Sequence, residues 1–121
     1  MIVAGFGFRR DATLDALRTA LREAQEGHPD VTAVAAPHDK LALVSALAET
    51  LGLPVIAVSP GTLQRATTPT QSIASLAARR AGSVAEASAL AAAGPGGQLL
   101  TTRHISPDRM ATCAIAQGLP A

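Results

Sequence analysis

The alternation of short apolar runs with amphipathic segments is the feature of this sequence that most restricts its fold. Apolar runs at residues 2–6, 31–36 and 55–58 predict three buried strands. Between them, residues 14–24 and 41–51 repeat apolar positions every three or four residues, which predicts two amphipathic helices. A strand–helix–strand–helix–strand order predicts a largely parallel sheet with right-handed crossovers.

The second half of the chain predicts further elements in a less regular order. Two helices are expected at residues 72–80 and 83–93, two strands at residues 98–101 and 111–116, and mainly loop at residues 60–70. The polar segment 102–109 between the last two strands is shorter than the dozen or so residues of a helical crossover. We therefore expect an α/β fold, a three-layer α/β/α domain with a mixed, mostly parallel sheet of about five strands.

Length and composition fit one such domain, spanning residues 1–121. Hydrophobic residues make up 48% of the sequence, which disfavours disorder. The chain has 27 alanines and two phenylalanines but no Trp or Tyr, so apolar area per residue is low. Stability must therefore come from close helix–sheet approach and from the Leu, Val and Ile positions.

Charge and cysteine content exclude several classes of protein. A formal net charge of +1 and few aromatic residues argue against nucleic-acid binding, which needs a clustered basic face. The apolar runs are too short for a transmembrane helix, and Arg9 and Arg10 interrupt any signal-like segment. A single cysteine, Cys113, leaves neither an internal disulfide nor a thiolate zinc cluster. A cytoplasmic location without membrane contact is expected.

The segment from Gly5 to Arg10 is a candidate anion site. It follows the first strand and is expected to form a loop before the first helix, with Asp11 as a candidate N-cap. Backbone amides at a helix start attract anions, and the Arg9 and Arg10 guanidinium groups suit carboxylates and phosphates. The alternative is that Gly5 and Gly7 only make a tight turn. A dinucleotide fingerprint is excluded because Arg10 stands where that motif needs a glycine.

Two further polar residues are predicted at the same end of the sheet. Lys40 begins the second helix and Ser59 follows the third strand. Ligands of open α/β sheets bind beyond the carboxyl ends of the strands, so both residues are candidates for ligand contact. The alternative for Lys40 is an exposed ion pair with Asp39 or Glu49.

A helix start at Ser83 is predicted by a capping box. The Ser83 hydroxyl can cap the helix, and Glu86 three residues later completes the motif. A purely structural role for Glu86 is therefore a strong alternative to ligand contact. No catalytic set of residues emerges from the sequence. Cys113 lies in an apolar run without an identifiable base, which favours a buried structural thiol over a nucleophile.

Several segments together resemble a known family. In chain order they are Gly5-Phe6-Gly7-Phe8-Arg9-Arg10, Asp39-Lys40, Leu51-Gly52-Leu53-Pro54, Ser72, Gly82-Ser83-Val84-Ala85-Glu86-Ala87 and Ala111-Thr112-Cys113-Ala114-Ile115-Ala116. They resemble the cobalamin-biosynthesis family that includes CobE and the C-terminal domain of CbiG. The resemblance spans nearly the whole chain. Arg103 stands where the family commonly carries a lysine.

The resemblance implies a cobalamin (vitamin B12) biosynthesis protein that binds or carries a corrin or precorrin intermediate. Alternatives from other classes are an enzyme acting on a precorrin by CbiG-like hydrolase chemistry, and a protein-interaction subunit that contacts other enzymes of the pathway. No cofactor or metal is implied. The candidate ligand-binding residues are Gly5, Gly7, Arg9, Arg10, Lys40, Ser59, Ser72, Gly82, Ser83, Glu86 and Arg103.

Overall fold

The computed structural model describes residues 1–66, 68, 76 and 83–119, and one five-stranded sheet forms its centre. The strands are β1 (Ile2–Phe8), β2 (Ala33–Pro37), β3 (Val55–Val58), β4 (Gln98–Ile105) and β5 (Ala111–Gln117). The helices of the described residues are α1 (Leu14–Gln25), α2 (Leu41–Leu51), α3 (Pro60–Arg65) and α4 (Val84–Ala93).

The sheet has the order β3-β2-β1-β5-β4 and is mixed. β1, β2 and β3 are parallel, whereas β5 is antiparallel to both of its neighbours, β1 and β4. This arrangement confirms the prediction of a mixed, mostly parallel sheet. It also brings the carboxyl ends of β1 to β4 and the start of β5 to one side of the sheet, which we call the carboxyl edge.

Helices cover both faces of the sheet, which confirms the three-layer prediction. On the first face, α1 and α2 pack against the sheet, and Phe6, Leu17 and Leu47 are completely buried there. On the second face, α3 and α4 enclose a smaller core that includes Val3 and Leu63. The first face holds most of the bulky apolar side chains. The second face relies on small residues in close contact.

Several boundaries differ from those expected. β1 continues to Phe8, so the supposed glycine loop is part of the strand, and β4 continues to Ile105. The region expected to be mainly loop contains α3, in which Pro60 is the first helical residue and Ser59 is the N-cap. Thr13 rather than Asp11 caps α1, because its hydroxyl accepts a hydrogen bond from the N–H of Ala16 at 3.2 Å. The helix expected at residues 72–80 lies outside the described residues.

Gly5 is the point at which α4 comes closest to the sheet. A Cβ atom at Gly5 would lie 2.3 Å from the carbonyl oxygen of Ala85 and 2.4 Å from the nitrogen of Ala89, far inside van der Waals contact. At Gly7 a Cβ atom would lie 3.3 Å from that of Val84. The two glycines therefore let α4 pack directly on the backbone of β1, and the prediction that they form a loop is wrong.

The described helices are all short. The longest is α1, with 12 residues. Within residues 1–66 and 83–119, no helix is long and apolar enough to cross a membrane, which takes about 20 residues.

Replacing Gly5 with alanine is expected to destabilise the fold strongly. The new methyl group has to displace the backbone of α4, and overpacking of this kind costs about 3 kcal/mol at the upper end of its usual range. The midpoint of urea unfolding measures the change.

The matched control is Gly61→Ala in α3. There the nearest atom to a new Cβ is a side-chain nitrogen of Arg65 at 3.9 Å, so the methyl group has room. We expect this variant to be as stable as the wild type or more stable by up to about 1 kcal/mol. Equal unfolding midpoints for Gly5→Ala and the wild type would contradict the close packing of α4.

Candidate functional site

The carboxyl edge carries the basic residues predicted from the sequence. Arg9 and Arg10 directly follow β1 and are exposed. The Arg9 main-chain N–H donates to the carbonyl of Met110 at 2.9 Å, so the backbone of Arg9 is fixed to the β5 side of the edge. Cationic groups at this edge can bind carboxylates or phosphates by charge-assisted hydrogen bonds.

Lys40 lies at the same edge, at the N-terminus of α2. Its ammonium group sits 5.2 Å from the centre of the Phe8 ring, a cation–π contact worth about 0.5–1 kcal/mol at a partly exposed site. Both side chains are half-buried. The Phe8 contact fixes the side chain of Lys40 above the end of β1. Sequence reasoning did not identify Phe8, because the ring and the ammonium group are 32 positions apart.

Ser59 is placed at the edge by β3 and acts as the N-cap of α3. Its hydroxyl accepts a hydrogen bond from the N–H of Thr62 at 3.3 Å and lies 2.9 Å from the Thr62 hydroxyl. The side chain is exposed. Its capping contacts give Ser59 a structural role at the position proposed for ligand contact.

The start of α4 also reaches the carboxyl edge. α4 runs antiparallel to β1, since Val84 lies near Gly7 and Ala89 lies near Gly5. Ser83 caps it as predicted: the buried hydroxyl accepts a hydrogen bond from the N–H of Glu86 at 3.3 Å. The positive end of the helix dipole therefore points toward the same edge as Arg9.

The Glu86 carboxylate makes a different contact from the expected capping box. It is completely buried and accepts a hydrogen bond of 2.7 Å from the main-chain N–H of Arg103 on β4. The β4–β5 register shifts between Thr101 and His104, which turns the Arg103 N–H away from the regular ladder. Glu86 therefore connects α4 to the irregular part of β4. The predicted site residue Arg103 contributes its main-chain N–H to this contact.

The predicted residues do not all line one cleft. α2, which carries Lys40, covers the first face of the sheet, and α4, which carries Ser83, covers the second. Their N-termini flank the carboxyl edge from opposite sides, with Arg9 between them at the end of β1. Ser72 and Gly82 lie outside the described residues. A ligand that contacts both helix starts has to lie across the edge of the sheet.

Cys113 is excluded from chemistry at this edge by its burial. It lies in the first-face core on β5 and is completely buried. Burial raises the pKa of the Cys113 thiol far above its ordinary value, so the nucleophilic thiolate is not populated at neutral pH. The structural role expected from the sequence fits this position.

The opposite end of α1 holds a separate polar depression of about 430 Å³. It is lined by Arg22, Glu23, Gln25, Glu26, His28 and Asp30. Glu23, one of these residues, has a carboxylate oxygen 2.6 Å from the Nε2 atom of His104, and both side chains are partly exposed. Within residues 1–66 and 83–119, no three His, Cys, Asp or Glu side chains are placed to hold a metal ion.

Comparison with known proteins places this fold in a family. The family model described as "Cobalamin synthesis G C-terminus" matches residues 2–116. No curated protein matches the chain significantly.

Three similar solved structures are described as proteins of cobalamin biosynthesis. CobE, described as a protein from the cobalamin (vitamin B12) biosynthetic pathway, superposes with a TM-score of 0.87 at 28% identity, covering 98% of this chain and 91% of CobE. The cobalamin biosynthesis protein chiG from Agrobacterium tumefaciens str. C58 gives a TM-score of 0.76 at 32% identity, covering 99% and 100% of the two chains. A putative cobalamin biosynthesis protein G homolog from Sulfolobus solfataricus shares the fold, with a TM-score of 0.72 at 20% identity; the match covers 95% of this chain and 36% of that one.

Replacing Glu86 with alanine is expected to lower the free energy of unfolding. The change leaves the Arg103 N–H without its acceptor in a buried place, which costs about 1–3 kcal/mol. Thermal or urea unfolding measures the loss.

The matched control for this variant is Ser88→Ala in the same helix. Ser88 is also completely buried, but its hydroxyl has no hydrogen-bond partner within the described part of the chain. Removing it is expected to leave stability unchanged or to raise it, because an unpaired buried hydroxyl is unfavourable. If both alanine variants unfold at the same denaturant concentration, the bracing role of Glu86 is wrong.

Proposed function

Because this chain belongs to the family of the cobalamin synthesis G C-terminus, we propose that it binds or carries a corrin or precorrin intermediate of that pathway. It is a cobalamin-biosynthesis protein of the CobE and CbiG type. Corrin precursors are macrocycles with many carboxylate side chains. A site for such a ligand needs several cationic or N–H donor groups on one open surface.

The basic carboxyl edge is the observation that supports this proposal. Arg9, Arg10 and Lys40 converge there, and the helix starts at Thr13, Lys40 and Ser83 direct their positive ends toward it. Isolated arginines on a surface are common, but three cationic side chains at the carboxyl ends of parallel strands occupy the place where open α/β sheets bind ligands. Cations on neighbouring elements of one edge suit a ligand that carries several carboxylates.

Binding without chemistry is the function that these residues favour. The Glu86 carboxylate is buried and tied to β4, and the Cys113 thiol is buried with a raised pKa, so neither group is presented to a ligand at the edge. The proposed contacts are Arg9, Arg10 and Lys40, with the start of α4 completing the surface. Ser59 contributes from the end of β3.

Titration of the protein with pathway intermediates tests the proposal, and cobyrinic acid serves as a stable corrin probe with free carboxylate side chains. A shift of the corrin absorbance without a new product is the expected result. A new product would instead establish an enzyme. Absorbance unchanged by any intermediate would refute binding and favour a protein-interaction subunit.

Replacing Lys40 with methionine is expected to weaken cobyrinic acid binding roughly tenfold, the usual effect of losing one charge-assisted hydrogen bond. Lys40 is the only lysine of the sequence, and methionine keeps an unbranched apolar stem over Phe8. The dissociation constant is measured by absorbance titration, and the melting temperature checks that the fold is kept.

The control is Arg22→Met, which removes a positive charge from the exposed surface at the far end of α1. It changes the net charge by the same amount without touching the carboxyl edge. Equal losses of affinity in the two variants would show that Lys40 acts only through net charge.

A further inference from the structure

The turn between β4 and β5, at the carboxyl edge, is held by several hydrogen bonds. The Ser106 N–H donates to the Ala111 carbonyl, and the Arg109 N–H donates to the Ser106 carbonyl, each at 2.8 Å. The Ser106 hydroxyl donates to the Asp108 carboxylate at 2.6 Å and accepts from the Ala111 N–H at 3.1 Å. These bonds hold the whole turn in one conformation.

Arg109 occupies an unfavourable backbone conformation in this turn. Its φ angle is +62°, in the left-handed region. Among the described residues, no other non-glycine residue has a positive φ angle. Glycine or asparagine adopts this conformation at lower cost. Arginine therefore stands at a position where glycine or asparagine would give a more stable backbone. Its presence there favours a functional role for the side chain.

The Asp108 side chain is hydrogen-bonded within the turn. Its carboxylate accepts hydrogen bonds from the Ser106 hydroxyl and, at 3.1 Å, from the Met110 N–H. These two bonds, in that order, lower the pKa of Asp108, so the carboxylate stays ionised and engaged in the turn. The Asp108 carboxylate therefore braces the turn.

Arg9 is joined to the same turn from the end of β1. Its Nε–H donates to the Arg109 carbonyl at 3.3 Å, in addition to the main-chain bond to Met110. Both arginines are exposed, and the ion pairs found in the described residues, Arg18 with Asp15 and His104 with Glu23, involve neither of them. Two guanidinium groups thus stand on adjacent, hydrogen-bonded pieces of backbone, and neither forms an ion pair with a carboxylate of the residues that the structure describes.

We propose that Arg9 and Arg109 together bind a carboxylate side chain of a polycarboxylic ligand at the carboxyl edge. The proposal rests on the proposed corrin-binding function and adds Arg109, on the β4–β5 turn, as a binding residue. Guanidinium groups bind carboxylates through paired, parallel hydrogen bonds, and a braced turn reduces the entropy lost on binding. The Lys40 ammonium over Phe8, the residue before Arg9, supplies the next cation along the same edge.

The test is an absorbance titration of Arg109→Gly with cobyrinic acid and with its fully methylated ester. Glycine suits the left-handed backbone, so this variant is expected to melt at the wild-type temperature or higher. Its affinity for the free acid is expected to fall roughly 10- to 100-fold, the loss expected from a charge-assisted pair. The ester, which has no carboxylates, is expected to bind wild type and variant equally weakly.

Two further variants sharpen the result. Arg109→Lys keeps the charge but not the paired geometry, and is expected to recover only part of the affinity. Arg22→Ala, an exposed arginine beside the polar depression at the other end of α1, is expected to bind as the wild type does.

The failures of the two proposals are distinguishable. If the wild type binds cobyrinic acid and Arg109→Gly binds it equally well, the arginine pair is wrong and the corrin-binding function stands. If Arg22→Ala loses the affinity instead, the ligand binds at the polar depression and the arginine pair is again wrong. Wild-type protein that binds neither acid nor ester overturns both proposals.

Discussion

The contact of α4 with β1 is the constraint on which the second face of this domain depends. At Gly5 the helix backbone lies so close that a single Cβ atom would overlap Ala85 and Ala89. This approach lets alanines rather than large side chains fill the second-face core, which matches a chain with 27 alanines. It also sets where α4 begins and brings Glu86 within reach of the displaced Arg103 N–H of β4.

The architecture was predictable from the sequence because its strands and helices differ clearly in apolar period and because the last connection is too short for a crossover. The boundaries that differ from prediction are those that tertiary contacts determine. The sequence around Gly5 and Gly7 predicts a loop, because a glycine required by a helix from elsewhere in the chain has the same local signature as a turn glycine. Asp11 and Thr13 are both good N-caps, and only the entry path of the chain selects Thr13.

The candidate site was predictable in part. Topology alone places Arg9, Lys40 and Ser59 at the carboxyl ends of parallel strands, so these positions followed from the order of elements. The Arg109 contribution did not, because it depends on a left-handed residue and on a hydrogen bond between positions 9 and 109. The resulting edge separates two tasks: buried polar groups such as Glu86 hold the scaffold, while exposed cations remain available to a ligand.

A polycarboxylic corrin that binds across the carboxyl edge should perturb the residues of that edge and leave the far end of α1 unchanged. The most direct measurement is a titration of isotope-labelled protein with cobyrinic acid, followed through the backbone amide NMR signals. Binding at this edge predicts that the largest shifts occur at Arg9, Lys40 and Arg109, with the signals of residues 25–30 unchanged. Shifts confined to residues 25–30, beside the polar depression, or none at all at saturating probe, would contradict it.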